Sequence, residues 1–272
     1  MAQQAAEKRI VLITGASGGV GSALCEVLKK DYHLIGLDLT PCESADESYK
    51  CDFTSKDSIS LALYKIHEKH GSHIACVIHL AAYYDFSGED NPLYEALNVK
   101  GTADFLTELQ RFDVDHFIYS STMLIHRAGV PGEKIIEDTP IEPGWTYPQS
   151  KADAEEAIRS HHGKIPYTLL RMAGLYDDHT AVPTLSYQIA RIYERQFKSW
   201  VYSGDKMAGQ AFLHKDDMVS LFTELVKKRH EVPKENVLLA GEDSVMGYQA
   251  LQNRIGHLIY GERRAGSHFK LN

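Results

Sequence analysis

Val11-Leu-Ile-Thr-Gly-Ala-Ser-Gly-Gly-Val-Gly-Ser22 joins a β-rich apolar run to a helical pattern through a glycine turn. Gly15, Gly18 and Gly21 stand at G-x-x-G-x-x-G spacing. The first permits a tight turn, the second lets the backbone approach a pyrophosphate, and the third lets helix and strand pack closely. The helix that follows points its free N–H groups and the positive end of its dipole at the phosphates. Gly15, Ala16, Ser17, Gly18, Gly19, Val20 and Gly21 are therefore the expected dinucleotide-binding turn. Glycine turns also serve as plain connections, so the reading gains from an acidic residue at the right distance. Asp38 ends the next apolar run, where a carboxylate accepts hydrogen bonds from ribose hydroxyls and repels a 2′-phosphate. Leu39, Thr40 and Pro41 offer no cation to offset that repulsion, so NAD is expected rather than NADP.

Outward from the turn, strand-like runs at Arg9–Ile13, His33–Leu37, Ile74–Leu80, Asp115–Ser121 and Tyr167–Arg171 alternate with helical patterns. The helices fall at Gly21–Lys30, Lys56–His70, Leu93–Arg111 and Ser150–His161. Strands separated by helices of this length build right-handed βαβ units and a parallel sheet. The pattern loosens after Gly174: Thr184–Gln196 reads as helix, Lys198–Tyr202 as extended, and Asp216–Lys228 as helix. The expected fold is α/β, a Rossmann-type doubly wound parallel sheet with a small C-terminal substrate-binding portion. Residues 1–175 form the NAD-binding domain. Residues 176–260 form the substrate-binding portion, interleaved with the last sheet elements, and 261–272 read as an unstructured tail.

The 272 residues carry a formal net charge of −8, so no basic footprint for nucleic acid or anionic lipid exists. The polar start and the short apolar run Ile10–Ile13 suit neither a secretory signal nor a membrane span. A cytoplasmic protein is expected, with a small-molecule substrate and neither nucleic acid nor membrane as partner. Cys25, Cys42, Cys51 and Cys76 lack metal-type spacing, and the fourteen histidines are scattered. Reduced buried thiols, no structural disulfide and no metal are the expectations.

Chemistry is expected in Trp145-Thr-Tyr-Pro-Gln-Ser-Lys151. If the helical turn begins at Tyr147, Tyr147 and Lys151 share one face. An ammonium beside a phenol favours the phenolate, and a phenol tuned so can exchange a proton with a substrate hydroxyl as hydride moves. A second hydroxyl should orient the substrate oxygen. Ser121 and Thr122, at a strand end, are the candidates, and spacing leaves the choice open.

Taken in order, several segments together resemble the short-chain dehydrogenase/reductase superfamily, in its extended branch of NAD-dependent epimerases and dehydratases. They are Thr14–Gly21, Asp38, Cys51-Asp-Phe53, His79-Leu-Ala-Ala82, Asn98-Val-Lys-Gly-Thr102, Ser120-Ser-Thr122, Tyr147-Pro-Gln-Ser-Lys151, Leu170–Tyr176 and Gln210–Asp217. That resemblance implies that Asp52 and Phe53 lie against the adenine, that Leu80, Ala81 and Ala82 lie beside the cofactor's ribose and phosphates, and that Asn98 braces the cofactor site. It implies Thr122 as the catalytic hydroxyl with Ser121 as fallback, Tyr147 as acid/base, and Lys151 on the nicotinamide ribose. A homodimer through two long helices is common in such proteins. Met123-Leu-Ile125 stand where dehydratases carry acidic residues, which argues against sugar-nucleotide dehydration. The C-terminal portion is also short for the branch, pointing to a small substrate or to a chain continuing beyond Asn272. Two functions remain: an enzyme of the epimerase/dehydratase type acting on a secondary alcohol, or a catalytically idle NAD-binding sensor or assembly module.

Overall fold

Seven parallel strands form the central sheet of the computed structural model, which describes residues 8–85, 87–202, 204–261 and 267–268. In chain order they are β1 (Ile10–Thr14), β2 (His33–Asp38), β3 (Glu47–Lys50), β4 (Cys76–His79), β5 (Phe117–Thr122), β6 (Tyr167–Met172) and β7 (Glu235–Ala240). Their spatial order is β7-β6-β5-β4-β1-β2-β3. Strand order reverses beside β1, and ligands of such sheets bind at that switch point, outside the carboxyl ends of the strands. Leu12 of β1 pairs in register with Ile35 on one side and Val77 on the other.

Alternation along the strands divides the core into two layers. Val11 and Ile13 meet Leu24 and Leu28 of α1 (Gly19–Leu28). Met218, Phe222 and Val226 of the helix Lys215–Lys227 join them on that face. On the opposite face Leu12 and Ile35 meet Ile59, Leu63 and Ile66 of α2 (Lys56–His70). Phe105 and Leu109 of α3 (Thr102–Leu109) and Ala154 and Ile158 of α4 (Thr146–His161) complete this layer. Helices on both faces of an all-parallel sheet are the doubly wound arrangement expected. α2 keeps its predicted limits because its ends are chemically marked. Ser55 accepts from the Ser58 N–H at the start, and Gly71 stands at φ 78° after the end.

Some elements depart from the sequence reading. β3 is a polar, half-exposed edge strand, Glu-Ser-Tyr-Lys, with no apolar alternation to mark it. The long helix expected over Leu93–Arg111 is a π-helix across Tyr94–Gly101 that passes into α3. α4 starts at Thr146, four residues before the expected Ser150. A residue before proline is usually pushed from the helical region, but Pro148 lies in the first turn, where no intrahelical N–H bond is lost. Tyr147 is thereby inside the helix. After Tyr176 the chain sends β7 back to the sheet and adds α5 (Pro183–Tyr193), α6 (Lys215–Lys227) and α7 (Tyr248–Tyr260). Gly174–Tyr176 runs parallel to Phe212–His214 above the sheet's end. Of the expected tail, Ser267–His268 pairs with Val201–Tyr202, and residues 262–266 and 269–272 lie outside those described. All four cysteines are buried free thiols. Among the described residues no helix is long and apolar enough to cross a membrane.

Candidate active site

The carboxyl ends of β1, β2, β4 and β5 bring most of the expected site residues to one edge. Gly15 follows β1 at φ +66° and donates its N–H to Leu37 O at 2.9 Å. A Cβ on Gly15 would sit 2.9 Å from Ala81 N, and one on Gly21 would overlap Gly15 O and lie 2.7 Å from Ala16 Cα. Only glycine fits either place. At Gly18 a Cβ would meet just Gly15 O, at 3.3 Å, and at Gly19 nothing within 4 Å. Gly18 caps α1 without a side-chain hydrogen bond, and no acidic residue stands in the first helical turn. An uncapped helix start with room against its backbone suits a pyrophosphate. Asp38 stands beside it, Oδ2 accepting from Ser17 N at 3.0 Å and Oδ1 from Leu39 N at 2.7 Å. Thr40 Oγ1 donates to Ser17 Oγ at 2.9 Å, closing the rim around the aspartate.

A chain of buried polar groups ties this turn to the helices. Thr102 Oγ1 donates to Asn98 O at 2.7 Å, so it accepts from His79 Nε2–H at 3.0 Å. His79 Nδ1 then accepts from Thr14 Oγ1 at 2.7 Å. The Thr14 oxygen in turn accepts from the N–H groups of Leu80 and Ala81, at 3.1 and 3.0 Å. These bonds fix a neutral imidazole. Burial pushes the His79 pKa down to about 3, with the Lys151 charge adding to the effect. His79 therefore holds the β4 loop, Leu80–Ala82, against the glycine turn. Sequence reading missed it, although a histidine interrupting a buried strand was a signal.

Two of the residues expected around the cofactor lie in the protein interior. Asn98 is fully buried, and its side-chain amide bonds to protein alone. It donates to Tyr83 O and Ser150 Oγ, both at 2.9 Å, and accepts from Tyr83 N at 2.8 Å. It braces the loop against α4. Phe53 packs its ring in the core, 5.3 Å from Phe105 and 5.4 Å from His79 between centroids. Asp52 stays half-buried, bonded to Thr54.

Tyr147, Lys151 and Glu155 follow at four-residue intervals along α4. Lys151 is buried, donates from Nζ to Ser120 O at 2.7 Å, and lies 4.7 Å from the Tyr119 ring centroid. Burial lowers its pKa to about 7, against an opposing pull from Glu155. Tyr147 was expected to be eased toward phenolate by the lysine. In this structure its hydroxyl is pushed up instead, by burial and by the phenols of Tyr84 and Tyr94. Those two rings, at 6.4 and 6.3 Å between centroids, form an aromatic wall beside it. Tyr94 lies in the π-helix, whose register no sequence pattern marked.

The two candidate hydroxyls separate by strand alternation. Ser121 Oγ donates to Glu155 Oε1 at 2.6 Å, inside a sealed network. Arg171 grips the same carboxylate from Nε at 3.0 Å and from its second guanidinium nitrogen at 2.8 Å. Thr122 Oγ1 accepts from Leu124 N at 3.3 Å at the start of the turn Met123–Ile125. Arg171 is thereby a buried ion-pair partner of Glu155.

A sequence profile described as the NAD dependent epimerase/dehydratase family matches residues 11–241. Short-chain dehydrogenase/reductase family 42E member 1 of Macaca fascicularis is 29% identical across 78% of this chain and 57% of its own. The uncharacterized UDP-glucose epimerase YtcB of Bacillus subtilis is 23% identical across 86% of this chain and 77% of its own. The chain thus spans little more than half of the first relative and about three quarters of the second. The solved structure of a short-chain dehydrogenase/reductase superfamily protein from Agrobacterium tumefaciens, with bound NAD, aligns at a TM-score of 0.76. That alignment covers 96% of this chain and 85% of the other at 20% identity, a likeness of fold.

Proposed function

The chain belongs to the NAD-dependent epimerase/dehydratase family, and on that premise we propose that it oxidises or reduces a secondary alcohol of a sugar-like substrate, with Tyr147 as the acid/base. NAD, when bound, accepts hydride from the carbinol carbon or returns it. Gly15–Gly21 would cradle the pyrophosphate and Asp38 the adenosine ribose, with Leu80, Ala81 and Ala82 along the ribose and phosphates. Asp52 would reach the adenine edge. Thr122 would orient the substrate oxygen, because the Ser121 hydroxyl is already bonded to Glu155. Lys151, held at the end of β5, would meet the nicotinamide ribose.

The observation that carries this reading is Lys151 itself. Its amine is buried and its charged form penalised, at the same edge as the glycine turn and one helical turn from Tyr147. A methionine would fill that volume without the penalty, so the buried amine supports a chemical role for this position. An idle binding module has no such need. The test is a panel of nucleotide-sugars, uronates, sterols and small alcohols, read by nicotinamide absorbance and by NMR of the products. A sugar-like compound should turn over with NAD, and NAD(H) should bind more tightly than NADP(H). Equal binding of NADP(H) would remove the Asp38 assignment. NAD bound without turnover of any compound would favour the idle module.

Gly18→Val gives a separate check on the turn. The variant should fold, since the added Cβ meets only one atom, Gly15 O at 3.3 Å, a tight contact that a shift of a few tenths of an ångström relieves. It should bind NAD more weakly, because the side chain fills the space against the backbone. Unchanged affinity in the folded variant would make the turn a plain connection.

A further inference from the structure

The opposite end of β2 from Asp38 carries a second cluster of donor groups. His33 opens β2, Glu47 opens the edge strand β3, and His70 closes α2. At ~3.3 Å per residue the six-residue strand sets this cluster roughly 16 Å from the Asp38 end. His33 Nε2 and His70 Nε2 each stand 3.1 Å from Glu47 Oε1. One donor atom from each residue lies within 4.8 Å of the others, and the two rings are 5.3 Å apart between centroids. Ligands at about 2.0–2.2 Å from a tetrahedral ion are separated by about 3.3 Å, so small side-chain movements complete the triad.

The surroundings prepare these groups. Tyr49 donates its hydroxyl to Glu47 Oε2 at 2.9 Å, and Lys69 Nζ lies 2.9 Å from the same oxygen. Oε1 is thereby turned to the imidazoles. Asp46 Oδ2 stands 4.0 Å from His33 Nδ1, on the far side of that ring. Hydrogen-bonded carboxylates and a carboxylate behind a histidine are the outer partners that orient metal ligands. His70 Nε2 is shielded from solvent and makes no hydrogen bond among the described residues, its approach to Oε1 lacking hydrogen-bond alignment. A sealed imidazole nitrogen set beside a carboxylate oxygen and a second imidazole is, once deprotonated, satisfied by a cation between them.

We propose that His33, Glu47 and His70 bind one divalent transition-metal ion of the zinc class, through two imidazole nitrogens and one carboxylate oxygen, with a fourth position open to water. Imidazole with carboxylate suits such ions better than magnesium or calcium. The ion ties the polar edge strand β3 to β2 and to the end of α2, where apolar packing is thin. In a similar group at Asp115 the imidazoles do not converge, His73 Nε2 standing at Oδ1 and His230 Nε2 at Oδ2.

The experiment uses the whole chain, stripped with EDTA and titrated with zinc chloride by calorimetry, with cobalt chloride as spectroscopic probe. One ion per chain should bind, raising Tm, and the cobalt spectrum should lack thiolate charge-transfer bands. Glu47→Gln and the double variant His33→Ala/His70→Ala should bind zinc at least ~10-fold more weakly, the lower end of what even outer-partner losses cost. Both should keep native circular dichroism and NAD affinity, and His73→Ala should bind zinc as the wild type does. If the double variant does not fold, His70→Gln replaces it with the same expectation. No saturable binding to the folded protein, wild-type affinity in these variants, or a thiolate band placing the ion at the cysteines would overturn the site.

Discussion

Tyr147→Phe is expected to lower turnover at least ~100-fold, the lower end for loss of a positioned acid/base, with little change in NAD affinity. The phenylalanine ring keeps its place beside Tyr84 and Tyr94, while the hydroxyl proposed as the acid/base is gone. Burial and the neighbouring phenols hold the Tyr147 hydroxyl above its ordinary pKa, so near neutral pH it carries its proton. That form suits the reductive direction, in which an alkoxide is protonated. Oxidation requires the phenolate, whose population grows as pH rises, so the oxidative rate should climb with pH in the wild type. In Tyr147→Phe that slope should vanish. Steady-state rates in both directions across pH, beside cofactor titrations, check both points. Near-normal turnover in the variant would route the proton through another group.

Glu155→Ala is expected to destabilise the fold by about 3–5 kcal/mol, the cost of leaving one member of a buried ion pair without its partner. Glu155 is wholly buried and accepts from Arg171 twice, from Ser121, and from Arg159 at 3.2 Å. Arg171 NH1 also donates to His126 Nε2 and to Glu137 O, both at 3.2 Å, which ties β6 to the loop after β5. Truncating the carboxylate strands a guanidinium and frees Ser121 at the end of the strand that carries Thr122. Replacing both ions together, Glu155→Leu with Arg171→Met, should recover most of the loss, because two charges are then no longer desolvated. Urea unfolding of the two variants gives the comparison. A single-variant cost under ~1 kcal/mol would mean that the pair behaves as a solvated surface bridge.

What the sequence made legible was whatever local chemistry dictates. The glycine turn, Asp38 and the strongly periodic segments of β1, α1 and α2 each announce themselves within a dozen residues, and the doubly wound sheet follows from their alternation. Groups whose roles depend on distant partners were not legible. His79 acquires its role from Thr14 and Thr102, and Glu155 from Arg171 and Ser121. Phe53 gains its core contacts in the same way, its ring packing against His79 and Phe105. β3 escaped because an edge strand needs only one neighbour and can be polar. The start of α4 was legible only as an alternative to Ser150, because a proline tolerated in the first turn does not mark where the helix begins.

Hydride transfer between NAD and a carbinol carbon, with the proton passing through Tyr147, is tested most directly by isotope. A substrate found by the panel is prepared with deuterium on the reacting carbinol carbon and mixed with the NAD-loaded protein in ordinary water. Mass spectrometry and NMR of the nicotinamide and product follow the label. Deuterium should appear on the nicotinamide ring, or return to the epimerised carbon without dilution, at a rate cut at least ~100-fold in Tyr147→Phe. Loss of the label to water while NAD stays unlabelled would contradict hydride transfer and leave proton abstraction from carbon as the chemistry of this site.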